Sequence, residues 1–385
     1  MVRFSQAAAE QVIAAGRPMK AHAMVQVADR ELEMRDIEIP AVGADEGLLR
    51  VQACGLCGSD VEQYAGGTVS RGLGSYPMIP GYEPVGVIEA VGAAAGARWG
   101  VRVGDRVALE PHLSCGACAN CLAGRYHLCR ILRPSGISSY GYLPMEFGHG
   151  LWGGYASHIH LHPRSVLHRL PDSLPLKLAT MYQAIAGGVR WSVYLPETAL
   201  GDTVLVQGCG QRGLGAVIAC REAGVSRIIV TGLARDAFKL DLALALGAQH
   251  AIVADREDTV ARVLQITGGR GADVVVDLAP GAPQTVSHAI DAVKVGGTVV
   301  LAGLKGGRAA SIDTDRVIFK EIALRGAFSQ GWQAYEQALR ILDENRHDLA
   351  RLKTHEFPLA QAAHAIGILA GDVPGEEGIC LSLYP

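Results

Sequence analysis

The sequence predicts an α/β protein in which a doubly wound parallel sheet is joined to a β-rich region with few long helices. Three observations carry the prediction. Apolar runs of strand length alternate with helically spaced segments from Asp202 to Arg325, the pattern of strands covered by helices on both faces. The first of these runs, Val204-Leu205-Val206, is followed at once by Gly208-Cys209-Gly210-Gln211-Arg212-Gly213. Upstream, Gly72, Gly74, Pro77, Pro80 and Pro84 cut the chain into short strands and turns.

Ahead of the first strand, Gln6 to Ala15 has the spacing of a short amphipathic helix. Ala21 to Val27, Glu31 to Ile39 and Gly47 to Cys54 alternate in strand fashion, and Val85 to Val91 and Asp105 to Leu109 lead to a cysteine-rich loop. Gly153-Gly154-Tyr155 then opens a strand at Ala156 to Leu161, and a helical connection over Leu178 to Val189 enters the second domain. That domain places strands at Val204 to Val206, Arg227 to Val230, Ala251 to Val253, Asp273 to Asp277, Thr298 to Leu301 and Ile322 to Leu324. Helices are expected at Leu214 to Ala223, Ala237 to Leu246 and Ala282 to Val293. The helical Gln333 to Leu342 and a last strand, Ile379 to Leu383, return to the first domain. The expected division is 1–184 with 326–385 for the β-rich domain and 185–325 for the doubly wound one.

A chain of 385 residues is too long for one ordinary core and suits two domains. Its net charge of -3, with both signs mixed, offers no basic stripe for nucleic acid and no cationic face for a membrane. No apolar run approaches the roughly 18 residues of a membrane span, and the N-terminus lacks the charged start, apolar centre and small-residue exit of a signal peptide. A cytoplasmic, enzyme-like protein acting on a small molecule is the expectation. Nine cysteines, four of them crowded between Cys115 and Cys129, point to metal binding in a reducing compartment rather than a disulfide scaffold.

The glycine turn has a specific chemical meaning when a strand precedes it and a helix follows. Gly208 permits the tight bend, Gly210 lets backbone approach a pyrophosphate, and Gly213 lets helix and strand pack closely, with phosphate charge at the helix N-terminus. Gln211 and Arg212 complete that cofactor-binding turn. An acid about 20 residues on would bind ribose hydroxyls and select NAD, but Gly232 stands where it is expected. Arg235 follows and suits a 2'-phosphate, while Asp236 beside it suits a ribose hydroxyl. The balance leans to NADP over NAD.

Cys115, Cys118, Cys121 and Cys129 form C-x2-C-x2-C-x7-C among the turn-forming Gly116, Asn120 and Gly124. Soft thiolates in one loop suit a single tetrahedral zinc ion. A site closed by four protein ligands leaves no position for chemistry, so the expected zinc is structural. An iron-sulfur cluster is the rival. The ferredoxin run, however, sets its last cysteine three residues on and follows it with proline, whereas seven residues lie between Cys121 and Cys129 and Arg130 follows. His127 is expected as a solvated loop residue.

Together these features resemble the zinc-containing medium-chain dehydrogenase/reductase family, the alcohol dehydrogenase group. The resemblance is carried by Cys54-Gly55-Leu56-Cys57-Gly58-Ser59-Asp60, Pro80-Gly81-Tyr82-Glu83-Pro84-Val85-Gly86, the four-cysteine lobe, the glycine turn, Gly271 to Asp277 and Val295-Gly296-Gly297-Thr298. These run in the family's order from about Met19 to the C-terminus. The resemblance implies a chaperonin-10-like (GroES-like) catalytic domain, an inserted Rossmann domain, a cleft between them, and homodimers or homotetramers. It also implies hydride transfer between nicotinamide and a carbonyl or alcohol.

The chain departs from that family where the chemistry is expected. The family's open zinc site uses the cysteine matching Cys57, a histidine at the position of Tyr82, and a third cysteine or acid from the segment entering the Rossmann domain or nearby. A phenol, with an ordinary pKa near 10, must lose its proton to ligate well. Between Asp172 and Glu197 there is no cysteine, aspartate, glutamate or histidine, and Tyr182 is the nearest polar residue. Cys57, with Glu83 as a second candidate, would hold an ion incompletely, so a catalytic pocket without zinc is expected. Ser59 matches the family hydroxyl that relays the substrate proton, and Glu62 stands where a histidine is often found. Tyr82, beside Glu83 and Ser59, is a candidate proton donor or substrate anchor, or else a ring filling the volume of the lost ion. Such a pocket suits a conjugated alkene, an iminium or an activated alcohol, which need no Lewis acid. Two other readings remain: an ordinary zinc-dependent alcohol dehydrogenase with unusual ligands, and a non-catalytic nucleotide-binding redox sensor.

His158, His160 and His162 share one face of the strand that ends at Leu161 and are expected on its solvent side rather than around a metal. Cys54, Cys209, Cys220 and Cys380 read as packing residues. Phe147 and Trp152 suit either a wall of the substrate pocket or the core.

Overall fold

The computed structural model describes residues 19–131 and 138–385, so the helix expected over Gln6 to Ala15 lies outside the described residues. The chain forms two compact units, Met1–Asp172 with Glu356–Glu376 and Leu381–Pro385, and Ser173–His355 with Glu377–Cys380. The second unit reaches beyond the expected 185–325 span at both ends, because the Trp332–Glu344 helix packs on the Tyr182–Val189 helix.

The β-rich unit opens with β1 (Lys20–Ala28) and β2 (Glu31–Glu38), an antiparallel ribbon of their own. Next come β3 (Gly47–Gly55), β4 (Glu83–Val91), β5 (Arg106–Leu109), β6 (His158–Leu161) and β7 (Leu167–Arg169). Leu49, Val51, Ile88, Val107, Leu109, Tyr140, Trp152 and Ile159 form a core against this sheet. At roughly 1.5–3 kcal/mol for each fully buried large aliphatic side chain, such a cluster fixes the strand register. Trp152 belongs to that core: its ring lies 5.8 Å from Tyr140 and its indole N–H donates to the Phe147 carbonyl, while Phe147 itself is exposed.

β6 corrects one expectation. His158 and His160 are buried, not on a solvent face. Alternation along a strand cannot distinguish water from a polar seam inside the protein; here His158 pairs with Glu89 at 2.7 Å and His160 stacks on His149, centroids 3.9 Å apart. His127, expected in solvent, is buried as well.

The second unit carries β8 (Thr203–Gln207), β9 (Arg227–Gly232), β10 (His250–Val253), β11 (Ala272–Asp277), β12 (Val293–Leu301) and β13 (Ala323–Gly326). They form one parallel sheet in the order β10-β9-β8-β11-β12-β13, which is the doubly wound arrangement with its reversal at β8. The expected helix over Leu178 to Val189 is two helices, Leu176–Ala179 and Tyr182–Val189. The break falls at Thr180, whose hydroxyl bonds back to the Lys177 carbonyl at 2.9 Å. Finally, β14 (Lys353–Pro358) and β15 (Cys380–Tyr384) extend the antiparallel sheet to seven strands, ordered β14-β15-β3-β4-β5-β7 with β6 beside β3. β14, Lys-Thr-His-Glu-Phe-Pro, has no apolar run to announce it.

Candidate active site

After β8 the chain bends through Gly208, whose φ of 102° excludes residues with a Cβ. At Gly213 a Cβ would stand 1.9 Å from the Gly208 carbonyl oxygen, so glycine there lets the helix begin at Gln211, inside the turn and three residues before the expected Leu214. The Cβ side of Gly210 is open space, which leaves the start of this 12-residue helix accessible to phosphate. Gln211 is buried on the first turn. Arg212 points onto the preceding helix, donating to the Gln183 carbonyl and standing 5.4 Å over the Trp191 ring.

Gly232 closes β9, and a Cβ there would lie 2.6 Å from the Cys209 sulfur and 3.0 Å from Leu240. The space an acid would need is filled by Cys209, whose thiol is pushed up to about 12 by burial. Arg235 is exposed and forms no ion pair among the described residues. Asp236 is engaged by Lys239 at 3.0 Å and by the Leu233 N–H at 3.2 Å. Sequence reasoning missed one neighbour of the turn. Lys305 pairs with the fully buried Asp277 at 2.7 Å and donates to the Ala279 carbonyl at 2.7 Å. A lone lysine after an apolar strand carries no signal of that role.

In the β-rich unit, Cys57 precedes the short helix Gly58–Tyr64 in extended backbone, and its N–H donates to Asp60 Oδ2 at 2.8 Å. Asp60 is 2% exposed and also accepts from the Tyr155 hydroxyl at 3.2 Å. These bonds fix the first turn that carries Ser59. The Ser59 hydroxyl bonds to the hydroxyl of Tyr82, which enters from the Pro80-Gly81 turn ahead of β4. Tyr142 stacks on Tyr82 with centroids 5.6 Å apart, and Cys57 joins them in one buried cluster. Burial first, then the negative charge that Cys57, Glu83 and Asp60 can carry, holds the Tyr82 phenol well above its ordinary range. Burial and Asp60 do the same for Tyr142. Glu83 is buried. Glu62 turns to Arg71, whose guanidinium it binds.

The third centre is the cysteine lobe. The four ligand sulfurs of Cys115, Cys118, Cys121 and Cys129 all lie within 4.8 Å of one another, with Cys118 to Cys121 at 3.5 Å and Cys115 to Cys121 at 3.9 Å. Zinc-thiolate bonds of about 2.3 Å in a tetrahedron put sulfurs about 3.8 Å apart. The lobe therefore has the dimensions of a zinc site. Backbone N–H groups of Ala117 and Cys118 point at Cys115 and bring its thiol down to about 6. Behind the lobe, the Tyr126 hydroxyl donates to Glu110 at 2.6 Å and His168 meets the same buried carboxylate at 2.8 Å.

Residues 43–172 match the alcohol dehydrogenase GroES-like domain family, and residues 213–344 match the zinc-binding dehydrogenase family. A Mycobacterium tuberculosis protein named as a probable alcohol dehydrogenase is 41% identical over 94% of this chain and 98% of its own length. The chain belongs to the zinc-containing medium-chain dehydrogenase/reductase family. A relative named L-threonine 3-dehydrogenase, from Edwardsiella ictaluri, is 30% identical over 86% of this chain and 91% of its own. Among solved structures, a Sinorhizobium meliloti protein described as a zinc-binding dehydrogenase and bound to NADP superposes with a TM-score of 0.81 at 25% identity, covering 95% of this chain and all 100% of its own.

This member of the family is an NAD(P)-dependent oxidoreductase, with a GroES-like unit and a Rossmann sheet. These relatives do not favour a non-catalytic sensor. Its cysteine cluster can hold the structural zinc of such dehydrogenases. At the position of the family's histidine ligand stands Tyr82, beside Cys57 and Glu83. Among the described residues, the four-cysteine lobe is the only group of three or more His, Cys, Asp or Glu side chains gathered closely enough for a metal. Around Cys57 stand two phenols whose burial raises their pKa and so favours the protonated, hydrogen-bonding form.

Proposed function

We propose that this dehydrogenase moves hydride between nicotinamide and a carbonyl or alcohol, or an activated C=C or C=N bond, in a pocket where Tyr82 replaces the catalytic zinc. The observation that carries the reading is the hydrogen bond between Ser59 and a buried Tyr82 at the position of the family's histidine ligand. When bound, nicotinamide supplies or accepts the hydride. Tyr82 keeps its proton at neutral pH and donates it, or a hydrogen bond, to the substrate oxygen. The half-buried Ser59 passes protons onward, Glu62 with Arg71 borders its helix, and Cys57 and Glu83 wall the pocket.

In the cofactor domain, taken as 185–325, Gly208, Gly210, Gln211 and Gly213 receive the pyrophosphate and Arg212 braces the turn from behind. Gly232, with no acid, and the unpaired, exposed Arg235 favour the 2'-phosphate of NADP. Cys115, Cys118, Cys121 and Cys129 hold the structural zinc. The names of the alcohol and L-threonine dehydrogenase relatives support an alcohol or carbonyl substrate. We further assign the protein to the cytoplasm as a homodimer or homotetramer without nucleic-acid or membrane partners. No helix of the described residues is long and apolar enough to cross a membrane, and exposed Val295, Ile318 and Phe319 suit contact with a second copy.

Metal analysis of the purified chain is expected to give one zinc per chain; a second ion lost on Cys57→Ser would overturn the zinc-free pocket. Titration with both reduced cofactors is expected to show tighter NADPH binding by tenfold or more, a preference that Arg235→Ala removes.

A further inference from the structure

We infer that Tyr142 is a second catalytic phenol, forming with Tyr82 and Ser59 a three-hydroxyl site that binds a substrate oxygen as it gains negative charge. The inference rests on the zinc-free reading of Tyr82 and extends it to a residue that no sequence motif marks. Tyr142 packs against Tyr82 with ring planes tilted 35°, and Ser59 bonds to the Tyr82 hydroxyl and lies within hydrogen-bonding reach of the Tyr142 hydroxyl. The loop that presents Tyr142 is fixed to the helix that carries Ser59. Gln63 on that helix donates to the Gly141 carbonyl at 2.6 Å, the Gly141 N–H donates to the Trp152 carbonyl at 2.6 Å, and the Tyr142 N–H donates to the Ser139 carbonyl at 3.1 Å.

Three hydroxyls bring three O–H donors to one spot beside a buried thiol. A neutral oxygen gains little by drawing such donors from one another. An oxyanion gains much, because hydrogen bonds to a charged acceptor are roughly twice as strong and a water-poor pocket strengthens them further. In the reducing direction the carbonyl carbon takes the hydride with its electron pair and the C=O pair moves to oxygen. Tyr82 and Tyr142 then hold that oxyanion, Tyr82 gives it a proton, and Ser59 returns a proton from solvent to Tyr82; the cofactor leaves oxidised. With a conjugated alkene the hydride goes to the β-carbon and the anion held is an enolate. Substrates that gather charge on one oxygen, aldehydes, ketones and enones, are the class this site takes.

The test requires no natural substrate. Full-length protein saturated with NADP is titrated with 4-nitrophenol, whose absorbance reports its ionisation. The wild type is expected to bind it as the phenolate, and Tyr82→Phe and Tyr142→Phe are each expected to weaken binding tenfold or more, with the double variant losing less than the product of the two. Zinc content and NADPH affinity, unchanged in each variant, exclude misfolding. Weakened binding in Tyr82→Phe alone overturns the role of Tyr142 and leaves the reading of Tyr82 standing. No phenolate binding by the wild type, or binding indifferent to both substitutions, overturns the oxyanion site. A second zinc per chain overturns the reading of Tyr82 on separate grounds.

Discussion

Two regions of the β-rich unit present cysteine, and they differ in what surrounds the sulfur. In the lobe, four sulfurs converge within 4.8 Å; backbone N–H groups bring the Cys115 thiol down to about 6, while burial pushes Cys121 up to about 11. In the pocket, Cys57 is one buried sulfur among Tyr82 and Tyr142, whose surroundings favour protonated oxygen. Burial alone would make the pocket the better trap for an ion. The comparison teaches that convergence separates the two: the lobe gathers four soft donors to one point, whereas around Cys57 the neighbours are phenols that carry O–H groups.

Paired substitutions break or sustain this contrast with the largest effect. Cys118→Ser is expected to lose the zinc and to lower the melting temperature by more than about 10 °C, since structural zinc contributes directly to folding. Cys57→Ser is expected to keep one zinc and to lower the melting temperature by less than Cys118→Ser does, since it only buries a hydroxyl in place of a thiol. Metal analysis and thermal melts on the two proteins decide the matter; equal zinc loss in both would erase the distinction.

Activity is expected to divide the regions the other way. Tyr82→Phe keeps the ring and the zinc but removes the donor, and should lower kcat by roughly 10²–10⁴-fold, the usual span for a lost general acid. Steady-state turnover with unchanged zinc content is the measurement. If kcat is unaltered, Tyr82 is only a filler of the ion's former volume.

A smaller effect sharpens how the lobe is attached. Glu110, 1% exposed, receives both Tyr126 of the lobe and His168 of β7. Glu110→Gln should cost about 2–4 kcal/mol in denaturant unfolding while keeping the zinc, because the network loses its charge at a buried site. A loss under about 0.5 kcal/mol would place the tether elsewhere.

The contrast also explains what the sequence discloses. The parallel sheet was legible because each buried strand, such as Val274-Val275-Val276, is a dense apolar run with glycine or helix spacing on either side. The lobe was legible because its four ligands fall within 15 residues, Cys115 to Cys129. The phenol pocket was half legible. Tyr82 and Ser59 sit in short recognisable runs, but Tyr142 comes from a loop 60 residues beyond Tyr82 and meets it only through the fold. Lys305 and the Tyr126–Glu110–His168 contacts were hidden for the same reason. Burial misled at β6, where a period-two histidine face is as consistent with an internal polar seam as with water.

That seam supplies the smallest expected effect and a third kind of donor cluster to set beside the other two. His149 and His162 lie against Trp152 and His160 against His149, with Glu46 at 3.5 Å from His160 and Arg164 two residues beyond His162. His149 Nδ1 accepts the Leu151 N–H at 3.2 Å and His162 Nδ1 accepts the Arg164 N–H at 3.0 Å, so each ring carries its proton on Nε2, the wrong tautomer for binding a metal through that atom. Burial brings His149 down to about 3, with His160 and His162 adding to the shift, and burial lowers His160 and His162 as well. In the unfolded chain these rings take up protons near pH 6.5. Below that pH the unfolded state binds more protons than the folded one, so stability that is complete above about 6.5 drains away as pH falls toward 3. His149→Gln removes one of the rings, and the variant should lose about 2 °C less than the wild type when the melt is moved from pH 7 to pH 4.5. Parallel losses in the two proteins would show that the acid sensitivity arises outside this seam, and added zinc should leave both melts where they are.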